Sequence, residues 1–98
     1  MKALLFALDI DHTYTGDPEG FRQFVSLMKE RGHRFIFATG REKWTDDMTA
    51  MNLPDIPIVF CGRDFKRKAV TASGYKVDIW IDDMPGTIEP GVFLSGDL

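Results

Sequence analysis

Apolar residues cluster in four runs, and each run ends on residues with hydroxyl, acidic or sulfur chemistry. The runs are Ala3–Leu8, Arg34–Ala38, Ile56–Cys61 and Val77–Ile81. Near-continuous apolar runs of this length predict strands buried on both faces, the habit of parallel sheets. Between them the pattern changes to a helical one. Phe21, Phe24, Val25 and Met28 recur at i, i+3, i+4 and i+7, one apolar stripe. Asp17 is placed to cap that helix, Pro18 to open it, and Gly32 to follow its last turn. A second helix is predicted from Trp44, Met48 and Met51, stopped by Asn52 and Pro54. A third runs from Phe65 to Ser73, with Asp64 as its cap and Gly74 at its end. Pro57 must lie near the start of the third strand, where no ladder donor is needed. Pro85-Gly86 predicts a turn, and Gly91–Leu94 a short fifth strand at an edge.

This β-α-β-α-β-α-β-turn-β alternation predicts a mainly parallel sheet with helices on both faces. The 98 residues suffice for one domain, spanning 1–98, with no repeat, linker or low-complexity segment. Twelve basic against fifteen acidic residues give a net charge of −3, which argues against a general nucleic-acid or membrane binder. No apolar stretch is long enough to span a bilayer, and the N-terminus lacks the pattern of a signal peptide. A soluble cytoplasmic protein is the expectation. Cys61 is the single cysteine, so no internal disulfide is expected, and its place after Ile58-Val59-Phe60 predicts a packing role.

Parallel sheets carry their chemistry beyond the carboxyl ends of the strands. The first run is followed by Asp9, Asp11 and Thr13, the second by Thr39, and the fourth by Asp82 and Asp83. Lys66, Arg67 and Lys68 stand at the start of the helix after the third. All are predicted to share one sheet edge. Asp9 and Asp11, two apart on a strand, are expected on one face. Carboxylates are ligands for hard Mg²⁺, and hydroxyl and ammonium groups donate to phosphoryl oxygens. Three cations in the first turn of a helix oppose its dipole, a conflict that an anion at that helix start would resolve. Of the lysines, Lys66 is favoured over Lys68 for the site, and Arg67 is expected to face solvent. His12 is expected to point away from Asp9 and Asp11, His33 to lie at the surface, and Trp44 and Trp80 to pack in the core, with the site entrance as the alternative place for Trp44.

In order and spacing these motifs resemble those of the haloacid dehalogenase superfamily, specifically its aspartate-nucleophile phosphatases. The resemblance rests on Asp9/Asp11/Thr13 after the first strand, Thr39 after the second, Lys66 at a helix start and Asp82/Asp83 after the fourth, and covers essentially the whole chain. It implies a Rossmann-like three-layer α/β/α sandwich and a Mg²⁺-dependent phosphomonoester hydrolase. In that mechanism Asp9 attacks phosphorus and forms an aspartyl-phosphate. Asp11 protonates the leaving oxygen and then deprotonates water, aided by a Thr13 hydrogen bond. The implied metal set is Asp9, the Asp11 backbone carbonyl, Asp82 and a supporting Asp83. Thr39 and Lys66 join Asp9 and Asp11 as catalytic residues, with Thr13, Gly40, Arg41 and Lys68 binding substrate. Asp11 also favours phosphoester over carbon–halogen chemistry, since the family's dehalogenases lack it.

Two gaps bear on substrate. Thr13 to Thr39, and Thr39 to Lys66, are each used up by one helix and one strand, leaving no residues for the cap that family members acting on small metabolites carry. An open site with Arg41, Lys43, Arg63, Lys66, Arg67 and Lys68 nearby suggests a basic rim for a large phosphoester, a nucleic-acid terminus foremost, with salt-sensitive binding. Thr39-Gly40-Arg41 with Trp44 also resembles the phosphatase domains of polynucleotide kinase-phosphatases, over that stretch alone, and a polynucleotide-end (3′- or 5′-) phosphatase or nucleotidase is the alternative enzyme it implies. A neighbouring subunit of a homo-oligomer would roof the site by another route. The rivals from other classes are a receiver-like phospho-acceptor domain, whose lysine comes last in the chain, and a catalytically silent interaction domain.

Overall fold

The computed structural model describes residues 2–91. Within them a four-stranded, all-parallel sheet is formed by β1 (Leu5–Leu8), β2 (Arg34–Thr39), β3 (Ile58–Phe60) and β4 (Ile79–Ile81), in the order β3-β2-β1-β4. The helices are α1 (Pro18–Glu30), α2 (Asp46–Ala50) and α3 (Lys66–Ala72), with short 3₁₀ turns at Tyr14–Gly16 and Pro85–Thr87. The architecture is a compact α/β fold of the Rossmann-like kind.

Strand alternation divides the core in two. Phe6, Leu8, Phe35 and Phe37 point into a cluster with Val25 of α1 and Met48 of α2. Leu5, Ala7, Ile36 and Ala38 point into another with Val59, Cys61 and Val70 of α3. The first is aromatic-rich. Phe6 stacks on Phe35 at 4.8 Å between ring centroids, and Phe24 meets both edge-on. Cys61 is buried, as its predicted packing role requires, and burial raises the pKa of its thiol.

α1 follows its sequence closely. The Asp17 carboxylate accepts from the Gly20 backbone N–H at 3.0 Å, and Pro18 occupies the first turn. Gly32 takes φ +95°, the left-handed conformation that a helix end needs. Other expectations need correction. β3 and β4 are only three residues long. α2 is a short helix that excludes Trp44, which is 48% exposed and donates its indole N–H to Thr49 instead of packing in the core. Asp64 does not cap α3. Phe65 holds the cap position without a side-chain hydrogen bond, and the Arg67 N–H is satisfied by the Ile88 carbonyl at 2.9 Å. His33 is buried, because its Nδ1 accepts from the Leu4 N–H and its ring meets Phe6 edge-on. Of the predicted fifth strand, Gly91 lies in a turn and Val92–Leu94 fall outside the described residues.

The strand order has one functional consequence. From β1 the sheet grows toward β2 and β3 on one side and toward β4 on the other. The chain therefore reverses direction across the sheet at β1, and ligands of open α/β sheets bind beyond the strand ends at such a switch point.

Candidate active site

Leu8 pairs with Ile81, and the ladder continues one step further, with the Asp9 N–H donating to the Ile81 carbonyl at 3.0 Å. The residues leaving β1 and β4 are thereby held side by side. The chain then turns back sharply. His12 adopts φ +65°, its N–H donates to the Thr15 hydroxyl at 2.9 Å, and the Tyr14 N–H reaches back to the Asp9 carbonyl. This turn ends the strand alternation that predicts where His12 points. The imidazole is exposed at the edge of an open cleft of about 600 Å³, lined also by Asp9, Asp11, Lys66, Asp82 and Asp83.

Two ionic clusters occupy that cleft. In the deeper one, the Lys66 ammonium donates to Asp9 Oδ1 at 2.8 Å and to Asp82 Oδ2 at 2.6 Å. The three side chains are 6%, 8% and 2% exposed. The other Asp82 oxygen accepts from the Met84 N–H. Thr13, buried behind Asp9, places its hydroxyl 3.1 Å from Asp9 Oδ2 and 3.0 Å from Asp83 Oδ1, while accepting from the Asp83 N–H. A hydroxyl has one proton, so Asp9 and Asp83 share a single donor. Burial pushes the Asp9 carboxyl up to about 6, more than the Lys66 ammonium pulls it down, and Asp83 adds to the rise. Burial also works against the charge on Lys66, but Asp82 and Asp9 outweigh it and the ammonium is held above its ordinary pKa.

In the shallower cluster one guanidinium serves two carboxylates. Arg41 grips Asp11 with Nε and one terminal nitrogen at 2.8 and 2.9 Å, and Asp47 with both terminal nitrogens at 3.0 and 2.9 Å. Thr45 bonds to both Arg41 and Asp47. The Arg41 fork holds Asp11 below the usual carboxylate range against the opposing effect of partial burial, and it brings Asp47 down to about 2. The hydroxyl of fully buried Thr39 accepts from the Arg41 N–H at 3.1 Å, which ties the loop after β2 to the strand beneath it.

Asp9, Asp82 and Asp83 each place a carboxylate oxygen within 4.8 Å of the others. Three carboxylate oxygens so grouped, two from nearly buried side chains and one from exposed Asp83, could hold a metal ion.

Measured against the sequence, Asp9, Asp82, Asp83 and Lys66 come together and line one cleft with Gly40, Arg41 and Asp11, with Thr13 bonded behind Asp9. Thr39, expected to be catalytic, is instead fully buried beneath the cleft and not part of its lining. Three further assignments change. The Asp11 carboxylate, expected on one face with that of Asp9, is instead turned to Arg41, which takes both its oxygens. The Thr13 hydroxyl serves Asp9 and Asp83, not Asp11. Lys68 lies outside the cleft, 76% exposed and 4.0 Å from Asp64.

The basic rim is also largely committed. Lys66 is buried against Asp9 and Asp82, Arg41 is shared by two carboxylates, and Arg67 pairs with Glu89 at 2.7 Å while lying over the Trp80 ring. These pairings also answer the conflict of three cations with the α3 dipole. From the sequence, Asp47, like Asp46, reads as a structural acid early in a helix, where the dipole alone explains it. Its partner Arg41 lies six residues away across a loop, and no local pattern signals that pairing.

No family model matches the chain, and neither a curated protein nor a solved structure matches it.

Proposed function

We propose that the protein is a phosphomonoester hydrolase of the haloacid dehalogenase type, using a divalent cation and an aspartyl-phosphate intermediate. The observation that carries this reading is the Asp9–Lys66–Asp82 cluster, joined by Asp83, at the switch point between β1 and β4. Asp9, Asp82 and Asp83 would hold the cation, with Mg²⁺ the favoured ion. Bound there, it would supply neutralisation of the charge that a phosphate brings to three carboxylates.

The chain's own residues account for the rest. Asp9 needs no base, because at neutral pH even a carboxyl raised to about 6 is mainly ionised. One of its carboxylate oxygens attacks phosphorus, giving up its present hydrogen bond, the ester P–O bond breaks, and the leaving oxygen takes a proton from Asp11. Water then attacks the acyl-phosphate, giving its proton to Asp11 and freeing Asp9 and inorganic phosphate. Lys66 donates to the phosphoryl oxygens as they replace part of its contact with the carboxylates. Gripped by Arg41, Asp11 is in the ionised form that serves the second step. The first step needs Asp11 released by Arg41 and protonated, from solvent or by keeping the proton received from water in the preceding turnover, and an arriving phosphoryl anion is a competing partner for that guanidinium.

A receiver-like domain that keeps its phosphoryl group is the second reading, and the Arg41–Asp11 pair favours it. An Asp11 that stays clamped cannot donate the proton, and phosphorylation would then need an activated donor such as acetyl phosphate. One experiment separates the two. A screen of phosphate esters with and without Mg²⁺ should find multiple turnovers, lost in Asp9→Asn. A stoichiometric phosphoenzyme that forms from acetyl phosphate without further phosphate release would replace hydrolysis by the receiver-like reading.

A further inference from the structure

Five large apolar side chains among the described residues are exposed, and two of them, Phe65 and Met84, line the cleft that holds the carboxylates. Each is fixed by the catalytic cluster itself. Phe65 directly precedes Lys66, whose side chain turns inward to Asp9 and Asp82 while the phenyl ring stays 42% exposed. Met84 follows Asp82 by two residues, its N–H donates to the Asp82 carboxylate at 2.8 Å, and its side chain is 54% exposed. Phe65 also breaks a local rule. It occupies the cap position of α3, where Ser, Thr, Asp or Asn would satisfy a helix N–H, and it makes no capping hydrogen bond. A sequence that departs from a local preference beside a reactive cluster, and leaves a phenyl ring 42% exposed in doing so, points to a functional position.

The polar wall of the cleft is sparse in free charge. Lys66 and Arg41 are engaged with carboxylates, and Arg63 is the exposed cation on the cleft that makes no ion pair among the described residues. A cleft of about 600 Å³ lies within the range of small-molecule sites, roughly 300–1,000 Å³. Recognition of the organic half of a substrate therefore falls to apolar contact more than to charge.

We propose that Phe65 and Met84 form a leaving-group subsite for a flat, apolar-faced ring, and that the preferred substrates are phosphomonoesters of nucleosides. This deepens the phosphatase reading and rests on it for the position of the phosphoryl group. Aromatic faces stack on bases of any identity, so little discrimination among bases is expected. A free nucleotide and a phosphorylated oligonucleotide end present the same chemistry here.

The test uses the full chain in Mg²⁺, with glycerol phosphate, nucleoside 3′- and 5′-monophosphates and a 3′-phosphorylated oligonucleotide as substrates. Nucleoside esters should exceed glycerol phosphate at least tenfold in kcat/KM. Phe65→Ala should shrink that preference about tenfold through KM, Phe65→Tyr should restore it, and Met84→Ala should act in the same direction. A lower KM for the oligonucleotide than for the mononucleotides assigns the strand end as the source, and equal values assign the free nucleotide. A preference for glycerol phosphate, or an equal loss on all esters in Phe65→Ala, overturns the subsite. An independent readout is the Met84 methyl resonance, which should shift on titration with adenosine monophosphate and not with glycerol phosphate. Nucleotide-induced shifts without any turnover would leave the subsite standing and remove the hydrolase reading. Turnover without such shifts would do the reverse.

Discussion

The two ionic clusters of the cleft use the same chemistry, one cation between two carboxylates, in different solvents. Lys66, Asp9 and Asp82 are nearly shut off from water, whereas Asp11 and Asp47 keep 43% and 61% of their side-chain surface around Arg41. Burial makes the first cluster interdependent, since removing one member leaves a charge that water cannot reach. The second is screened, and its geometry is worth little in stability. The difference suits their proposed tasks. The deep cluster keeps a nucleophile in place, and the shallow one can exchange partners when an anion arrives.

Lys66→Met tests that contrast most strongly. It leaves Asp9 and Asp82 buried together without a cation, at a cost of about 3 kcal/mol in urea unfolding. Added Mg²⁺ should recover part of the loss if the carboxylates bind it. A loss below about 1 kcal/mol would mean that the deep cluster is as well hydrated as the shallow one.

pH provides the next test. The Asp9 carboxyl is raised to about 6, so between about pH 4 and 6 the folded state holds a proton that the unfolded chain has released. Stability of the metal-free protein should therefore fall as pH rises through that window, by up to about 2 kcal/mol, and level off above it. Chemical denaturation in EDTA at pH 4.5 and 7.5 measures this against the global titration of the other carboxylates, with Asp9→Asn as the reference that lacks the slope.

Thr13→Val removes the one donor shared by Asp9 and Asp83 and the acceptor of the Asp83 N–H, at about 1–2 kcal/mol. The smallest effect is expected from Arg41→Ala, below about 0.5 kcal/mol at neutral pH because its pairs are half exposed. Arg41 lowers the pKa of Asp11, so its contribution is present above the ordinary carboxylate range and vanishes as pH falls through the depressed value. The wild-type and Arg41→Ala stabilities should converge in acid. A destabilisation as large as that of Lys66→Met would erase the distinction between the clusters.

How much of this was written in the sequence depends on whether the cause is local. The four strands were legible because apolar runs have no other use in a chain of this size, and α1 because stripe, cap and terminal glycine agree. The convergence of Asp9, Thr13, Lys66, Asp82 and Asp83 was legible once a parallel sheet was granted, since each residue follows a strand or opens a helix. What escaped depends on distant partners. His33 looks like a surface residue until Leu4 offers an N–H and Phe6 a ring. Asp11 looks available to substrate until Arg41 closes on it from the loop after β2. Lys68 and Lys66 are indistinguishable by charge, and only the direction of the first turn of α3 sends one inward and the other to solvent.

The neighbourhood of β1 and β4 also sets when the protein becomes competent. Thr13 and Asp83, which share a hydrogen bond, are 70 residues apart, so the site closes a long loop. Bringing such ends together costs about 4 kcal/mol in chain entropy beyond the fixed closure term. The β1–β2 pairing and α1 between them need much shorter closures and can form earlier. During synthesis Asp9 thus emerges early and waits, without Lys66 and Asp82, until β4 leaves the ribosome and slots in beside it. The carboxylate cluster is thus completed only with β4, and a product truncated before Ile79 would keep α1, α2 and α3 while lacking Asp82 and Asp83.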